Sequence, residues 1–108
     1  MAKVTELTDT NFKTTLQGAK TPVLIDFSAA WCGPCKALAP TIDKVATDYA
    51  GKIEVYKVDI DSAQETAASY GIMQVPTCIF FKGGKEVDRF YGNMDLRAVK
   101  GHVDKVLA

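Results

Sequence analysis

Three cysteines, Cys32, Cys35 and Cys78, carry most of the chemistry open to this 108-residue chain. The first two fall in the segment Trp31-Cys32-Gly33-Pro34-Cys35-Lys36. A thiolate is the species that attacks disulfides and binds metals, so what matters is which sulfur its surroundings leave ionised. Proline suits the first position of a helix. Gly33 is therefore expected as the N-cap, with Cys32 just ahead of the helix at its exposed edge and Cys35 inside the first turn. Unpaired N–H groups and the positive end of the helix dipole then favour a thiolate on Cys32, which makes it the expected nucleophile. A purely structural role fits poorly, because a disulfide closing so short a loop removes little entropy from the unfolded chain. Zinc is the other rival. A structural zinc site needs four ligands, and beyond the pair only Cys78, in an apolar strand, and His102, on the last helix, are strong candidates. The favoured reading is redox exchange with no metal.

The elements that must hold this segment can be read from the pattern on either side of it. Lys3 to Leu7 reads as a short strand, followed by a helix with Thr8 as N-cap, a Leu7–Phe12 hydrophobic staple, and a stop at Gly18. Pro22 to Phe27 is apolar on both faces except for Asp26, the pattern of a central strand covered on both sides. A long helix is expected from Pro34 to Tyr49, with Leu38, Ile42, Val45, Ala46 and Tyr49 on its buried stripe, a kink at Pro40, and an end at Gly51. Ile53 to Ile60 reads as another buried strand. Asp61 or Ser62 should cap a third helix that ends at Tyr70-Gly71. Thr77 to Phe81 and Glu86 to Tyr91 flank the hairpin signal Gly83-Gly84. Asn93 should cap a last helix with Leu96, Val99, Val103 and Val106 on one face. The order βαβαβ-αββα predicts an α/β fold, with parallel strands joined by right-handed crossovers and an antiparallel hairpin at the end. In such sheets reactive groups gather at the carboxyl ends of strands, where the cysteine pair stands.

Bulk composition narrows the function. The length fits a single domain over residues 1–108, large enough to bury roughly two-thirds of its unfolded surface. Hydrophobic residues at 47% and charged residues at 24% are ordinary for a globular chain. Thirteen basic residues balance thirteen acidic ones, so there is no overall field to draw in nucleic acid or anionic lipid. The opening MAKVTELTDT contains no apolar core of a secretory signal, and the apolar run Val75 to Phe81 is too short to span a bilayer. A cytoplasmic, monomeric protein with no membrane or nucleic-acid partner is expected. Three cysteines in a reducing compartment point to redox or metal chemistry rather than a disulfide framework.

The motifs taken together resemble the thioredoxin family. WCGPCK follows a buried strand bearing Asp26, and downstream come Lys57 in VYKVDID, Val75-Pro76-Thr77, and Gly92 after the hairpin. The likeness runs over essentially the whole chain. It implies a five-stranded mixed central sheet flanked by four helices. It also implies that Cys32 attacks a substrate disulfide and Cys35 resolves the mixed disulfide, with no cofactor beyond the Cys32–Cys35 disulfide/dithiol. Asp26 corresponds to a buried carboxylate that helps deprotonate Cys35, with Lys57 close to it. Val75-Pro76 corresponds to a cis-proline loop facing the cysteines, whose backbone meets an extended substrate. Trp31, Gly33, Pro34 and Gly92 complete the expected binding surface. The partners implied are a thioredoxin reductase as electron donor and disulfide-containing target proteins.

Some residues depart from the family pattern or stand outside it. Ser28 occupies a position that often holds a second Trp, Ala29-Ala30 lacks the usual acidic residue, and Met73-Gln74 and Tyr91 are unusual beside Val75 and Gly92. These changes bear on partner choice and leave the exchange chemistry intact. Asp59 and Asp61 are explained by a strand end and a helix cap, His102 by the surface, and Cys78 by the core. Two other functions compete with the reductase: an oxidant or isomerase of the same fold, and a binding module without redox turnover. Gly-Pro between the cysteines favours the reductant.

Overall fold

The computed structural model describes residues 4–108. In chain order the elements are β1 (Thr5–Leu7), α1 (Phe12–Gly18), β2 (Val23–Ser28), α2 (Gly33–Asp48), β3 (Glu54–Asp59), α3 (Gln64–Ser69), β4 (Thr77–Lys82), β5 (Lys85–Tyr91) and α4 (Leu96–Leu107). The predicted start of the first strand at Lys3 lies outside the described residues. The strands form one mixed sheet in the order β1-β3-β2-β4-β5. β3 runs parallel to both β1 and β2, whereas β4 is antiparallel to β2 and β5 to β4. Gly83 and Gly84 both take positive φ, the conformation a tight hairpin of this kind requires.

Residue alternation along β2 assigns the two faces of the sheet. Val23, Ile25 and Phe27 point one way, into a cluster with Phe12 and Leu16 of α1, Ala63 ahead of α3, and Ile79 and Phe81 of β4. Leu24 points the other way, into a cluster with Leu38, Ile42 and Val45 of α2 and Val99, Val103 and Val106 of α4. The molecule is thus three-layered, with helices on both sides of β2. Each fully buried Leu, Val or Phe contributes on the order of 2 kcal/mol of apolar transfer free energy. The expected α2 and α4 stripes are the buried ones, with Ala46, Tyr49 and Leu96 at their margins. Polar contacts also tie α2 to α4: the Tyr49 hydroxyl donates to Asp104 at 2.7 Å and the Lys100 ammonium meets Asp48 at 2.7 Å.

Helix starts are where local reading and structure part. Helix α1 begins at Phe12, not just after Thr8; in the turn between them the Asn11 carboxamide oxygen accepts the Thr8 N–H at 2.7 Å and also its hydroxyl, and the Phe12 N–H reaches the Thr8 carbonyl at 3.0 Å. Helix α4 is capped by Asp95 rather than Asn93, its Oδ1 accepting the Ala98 N–H at 2.8 Å. Neither Asp61 nor Ser62 caps α3. Ala63 stands at that N-cap, and Asp9, from the loop after β1, accepts the Thr66 N–H at 2.8 Å and its hydroxyl at 2.6 Å. Helix α2 begins at Gly33, one residue before Pro34, and runs as one 16-residue helix across Pro40.

Candidate active site

Helix α2 starts where β2 ends, and the turn between them carries the cysteines. Cys32, not Gly33, is the N-cap: its backbone is extended at φ −93°, ψ 114°, and its sulfur accepts the Cys35 N–H at 3.1 Å. The expected cap was displaced by one residue because the sulfur itself fills the capping role, with Gly33 and Pro34 as the first two helical positions. Cys32 and Cys35 are joined in a disulfide, with Cα atoms 5.3 Å apart. Both cysteines are only 4% exposed. The expected contrast between an exposed Cys32 and a sheltered Cys35 is therefore absent in this state, and the helix terminus is what distinguishes the two sulfurs.

Around the disulfide, Ala29 packs with both cysteines, and Ile60 and Val75 close over them. The Val75–Pro76 peptide is cis, and the Val75 carbonyl oxygen lies 3.7 Å from Cys32 Sγ. Gly92, at φ +77°, donates its N–H to the Pro76 carbonyl at 2.8 Å, fastening the end of β5 to this loop. Trp31 is 68% exposed, and its indole Nε1–H donates to Asp61 Oδ2 at 2.8 Å, which fixes one edge of the ring. The geometry thus brings Trp31, Gly33, Pro34, Val75, Pro76 and Gly92 close to the sulfurs, directly or through neighbours bonded to them. Asp61, read as a helix cap, anchors Trp31 instead. Asp59 holds that turn, its Oδ1 accepting the Asp61 N–H at 2.9 Å.

Behind the disulfide, Asp26 is 5% exposed in the middle of β2. It is opposite Lys57 in the β3 register and opposite Cys78 in the β4 register, so the three side chains form a row across the sheet on the α2 side. Cys78 Sγ lies 3.8 Å from Asp26 Oδ1 and donates to it. Burial raises the Asp26 carboxyl to about 6, against the pull of the Cys78 hydrogen bond and the Lys57 charge, while Asp43 pushes it further up. Burial also pushes the Cys78 thiol well above its ordinary range, aided by the adjacent Asp26. A cleft of about 240 Å³ is lined by Asp26 and Cys35 together, with Ser28, Lys36, Lys57 and Asp59 among others. A larger cleft of about 380 Å³ between α1 and α3 contains neither cysteine.

One residue departs from its expected setting, and another does more than expected. His102 is not a plain surface residue: its ring packs on Phe80 and Phe90, and its Nδ1 lies 2.7 Å from Asp88 Oδ2. Cys78 is fully buried as expected, yet it is a polar partner of Asp26 as well as a core side chain. The β2–β4 register is the signal that would have found it, and single-strand patterns do not specify register. Among the described residues, no three His, Cys, Asp or Glu side chains are grouped as a metal ion would need.

A mixed sheet with a Cys-x-x-Cys disulfide at a helix N-terminus, beside a cis-proline loop, defines a thiol–disulfide exchange protein. The thioredoxin family model matches residues 3–105. The chain is 41% identical over 105 residues to the chloroplastic M-type thioredoxin of Pisum sativum, covering 97% of this chain and 61% of that relative. It is 40% identical over 107 residues to thioredoxin 1 of a Nostoc species, covering 99% and 100% of the two chains. It is 44% identical over 101 residues to the thioredoxin of Alicyclobacillus acidocaldarius, covering 94% and 95%. The chain belongs to the thioredoxin family and is a thiol–disulfide oxidoreductase.

Proposed function

We propose that the protein reduces disulfides of target proteins, with Cys32 as nucleophile and Cys35 as resolving thiol. The observation that carries this reading is the Cys35 N–H donated to Cys32 Sγ at the start of α2. In the dithiol form that N–H and the helix dipole stabilise a Cys32 thiolate. The thiolate attacks one sulfur of the substrate disulfide, forms a mixed disulfide and expels the other substrate sulfur. Asp26 then takes the Cys35 proton through the shared cleft. The Cys35 thiolate attacks Cys32 Sγ, which closes the Cys32–Cys35 disulfide and releases the substrate as a dithiol. Lys57, opposite Asp26 on β3, favours the charged form of that base. Trp31, Gly33, Pro34, Val75, Pro76 and Gly92 form the docking surface, and an extended substrate segment pairs with the Val75 backbone.

Two electrons must return to the disulfide, and a thioredoxin reductase is the proposed donor. The protein then acts as an electron carrier in a reducing compartment, the cytoplasm, as a single-domain monomer. Its balanced charge fits a lack of nucleic-acid partners, and no helix among the described residues is long and apolar enough to cross a membrane. Trapping tests the division of labour. Cys35→Ser should accumulate mixed disulfides with target proteins on a non-reducing gel, because the resolving thiol is gone. Equal trapping by Cys32→Ser would refute the assignment.

A further inference from the structure

Position 78 lies in the row that crosses the sheet through Asp26. Cys78 is fully buried, beside Leu24, Phe80 and Phe90 in the α2–α4 cluster, so its side chain must be compatible with an apolar core. It is also directly opposite Asp26 in the antiparallel β2–β4 register, with Sγ 3.8 Å from Oδ1. Cysteine meets both demands, since it packs as a small hydrophobe and keeps one weak S–H donor. A valine or leucine here would pack but donate nothing.

We propose that Cys78 is a positioning residue for the disulfide exchange: its buried thiol donates a hydrogen bond to the Asp26 carboxylate across β2–β4 and stabilises the charged form of that acid beside the Cys35 cleft. A donor to the ionised form of an acid favours ionisation. The bond therefore opposes the desolvation that β2 imposes on Asp26. The thiol remains a donor at neutral pH because burial and the adjacent acid keep it protonated. The other titratable and charged groups around Asp26 come from three elements, β1, β3 and α2. Lys57 on β3 favours its ionisation and Asp43 on α2 disfavours it. Cys35 shares the cleft with Asp26 and titrates only when the disulfide is open, while Glu6 on β1, Lys36 on α2 and Asp59 on β3 also line the cleft.

The link to turnover rests on the proposed role of Asp26 as base for Cys35, so the test separates the two. In the oxidised protein, where Cys35 does not titrate, the Asp26 carboxyl is followed by carbon NMR across pH 4–9. Cys78→Val should raise its midpoint by at least about 0.5 pH unit, a roughly threefold change in ionisation constant. Cys78→Ser, which keeps a donor, should leave the midpoint at or below that of the parent. If valine does not fold, Cys78→Ala removes the same donor and carries the same expectation. Equal midpoints in the parent, apolar and serine variants would overturn the proposal. The pH dependence of disulfide reduction by the dithiol forms is the second arm, and its acid limb should move with the midpoint. A shifted midpoint with an unmoved rate profile would uphold the Cys78–Asp26 bond and overturn the role of Asp26 as base instead.

Discussion

At the residue scale, reactivity depends on electrostatics more than on access. Cys32 and Cys35 are equally buried in the disulfide state, but only the Cys32 sulfur receives a backbone N–H at the helix start. When the protein is reduced, limiting iodoacetamide at neutral pH should alkylate Cys32 well before Cys35, and Cys78 should stay unlabelled. Peptide mass mapping reads this order, and preferential labelling of Cys35 would reverse the assignment. Asp26 allows a stability test with a definite sign. Its folded-state pKa is raised from 3.8 to about 6, so the folded protein binds more protons than the unfolded chain between those values. Its contribution to stability is fully present below about pH 4 and is lost as pH rises through 6. At roughly 1.4 kcal/mol per unit, the ionised acid costs about 3 kcal/mol at pH 7. Asp26→Ala should then be more stable by about 1–3 kcal/mol in urea unfolding at pH 7, the space it leaves offsetting part of the gain. It should also reduce disulfides more slowly. A less stable but fully active variant would show that Asp26 is a structural acid.

At the element scale, the helix caps separate local from long-range design. Asp95 caps α4 three residues from its partner, so Asp95→Ala should cost about 1 kcal/mol in urea unfolding. Asp9 caps α3 from 57 residues away, joining the loop after β1 to the helix before the cis-proline loop. The Thr66 hydroxyl and N–H hold the Asp9 carboxyl below its ordinary range. That contribution is present above the usual carboxylate pKa and is lost as pH falls through the folded value. Asp9→Ala should speed amide exchange at Glu65 and Thr66 and lower the melting temperature, with disulfide reduction unchanged. Unchanged exchange at both amides would show that the cap carries no stability.

At the scale of the whole molecule, the three layers hold the reactive turn from both sides. Helix α2 carries Cys35 and also Leu38, which is fully buried between that helix and the sheet. Leu38→Ala leaves a cavity under the same helix and should destabilise the protein by about 3 kcal/mol. Urea unfolding should give a lower midpoint with an unchanged slope. A loss well under 1 kcal/mol would mean that α2 settles into the space. The folded fraction of this variant should still reduce disulfides, because the N-cap geometry depends on Cys32 and Cys35 rather than on Leu38.

Much of this was legible in the residues alone. Helical spacing placed α2 and α4, apolar runs placed the buried strands, and cap and turn signals placed the remaining elements, because each records a local demand of the backbone or the core. The Cys32–Cys35 pair at a strand-to-helix boundary, and its resemblance to a known motif, located the reactive site. Local chemistry also identified Asp26 as an acid trapped in a buried strand. What remained was decided between segments distant in the chain. The resemblance had already put Lys57 near Asp26, but strand register put Cys78 on its other side, and the fold carried Asp9 to α3 and Asp61 to Trp31. At α2 the Cys32 sulfur supplies the capping acceptor that Gly33 lacks, and α1 starts after Asn11 with no side-chain cap bond. Periodicity specifies which face a residue takes but not which residue it will meet there, and those meetings are set only when the sheet pairs and the helices close over it.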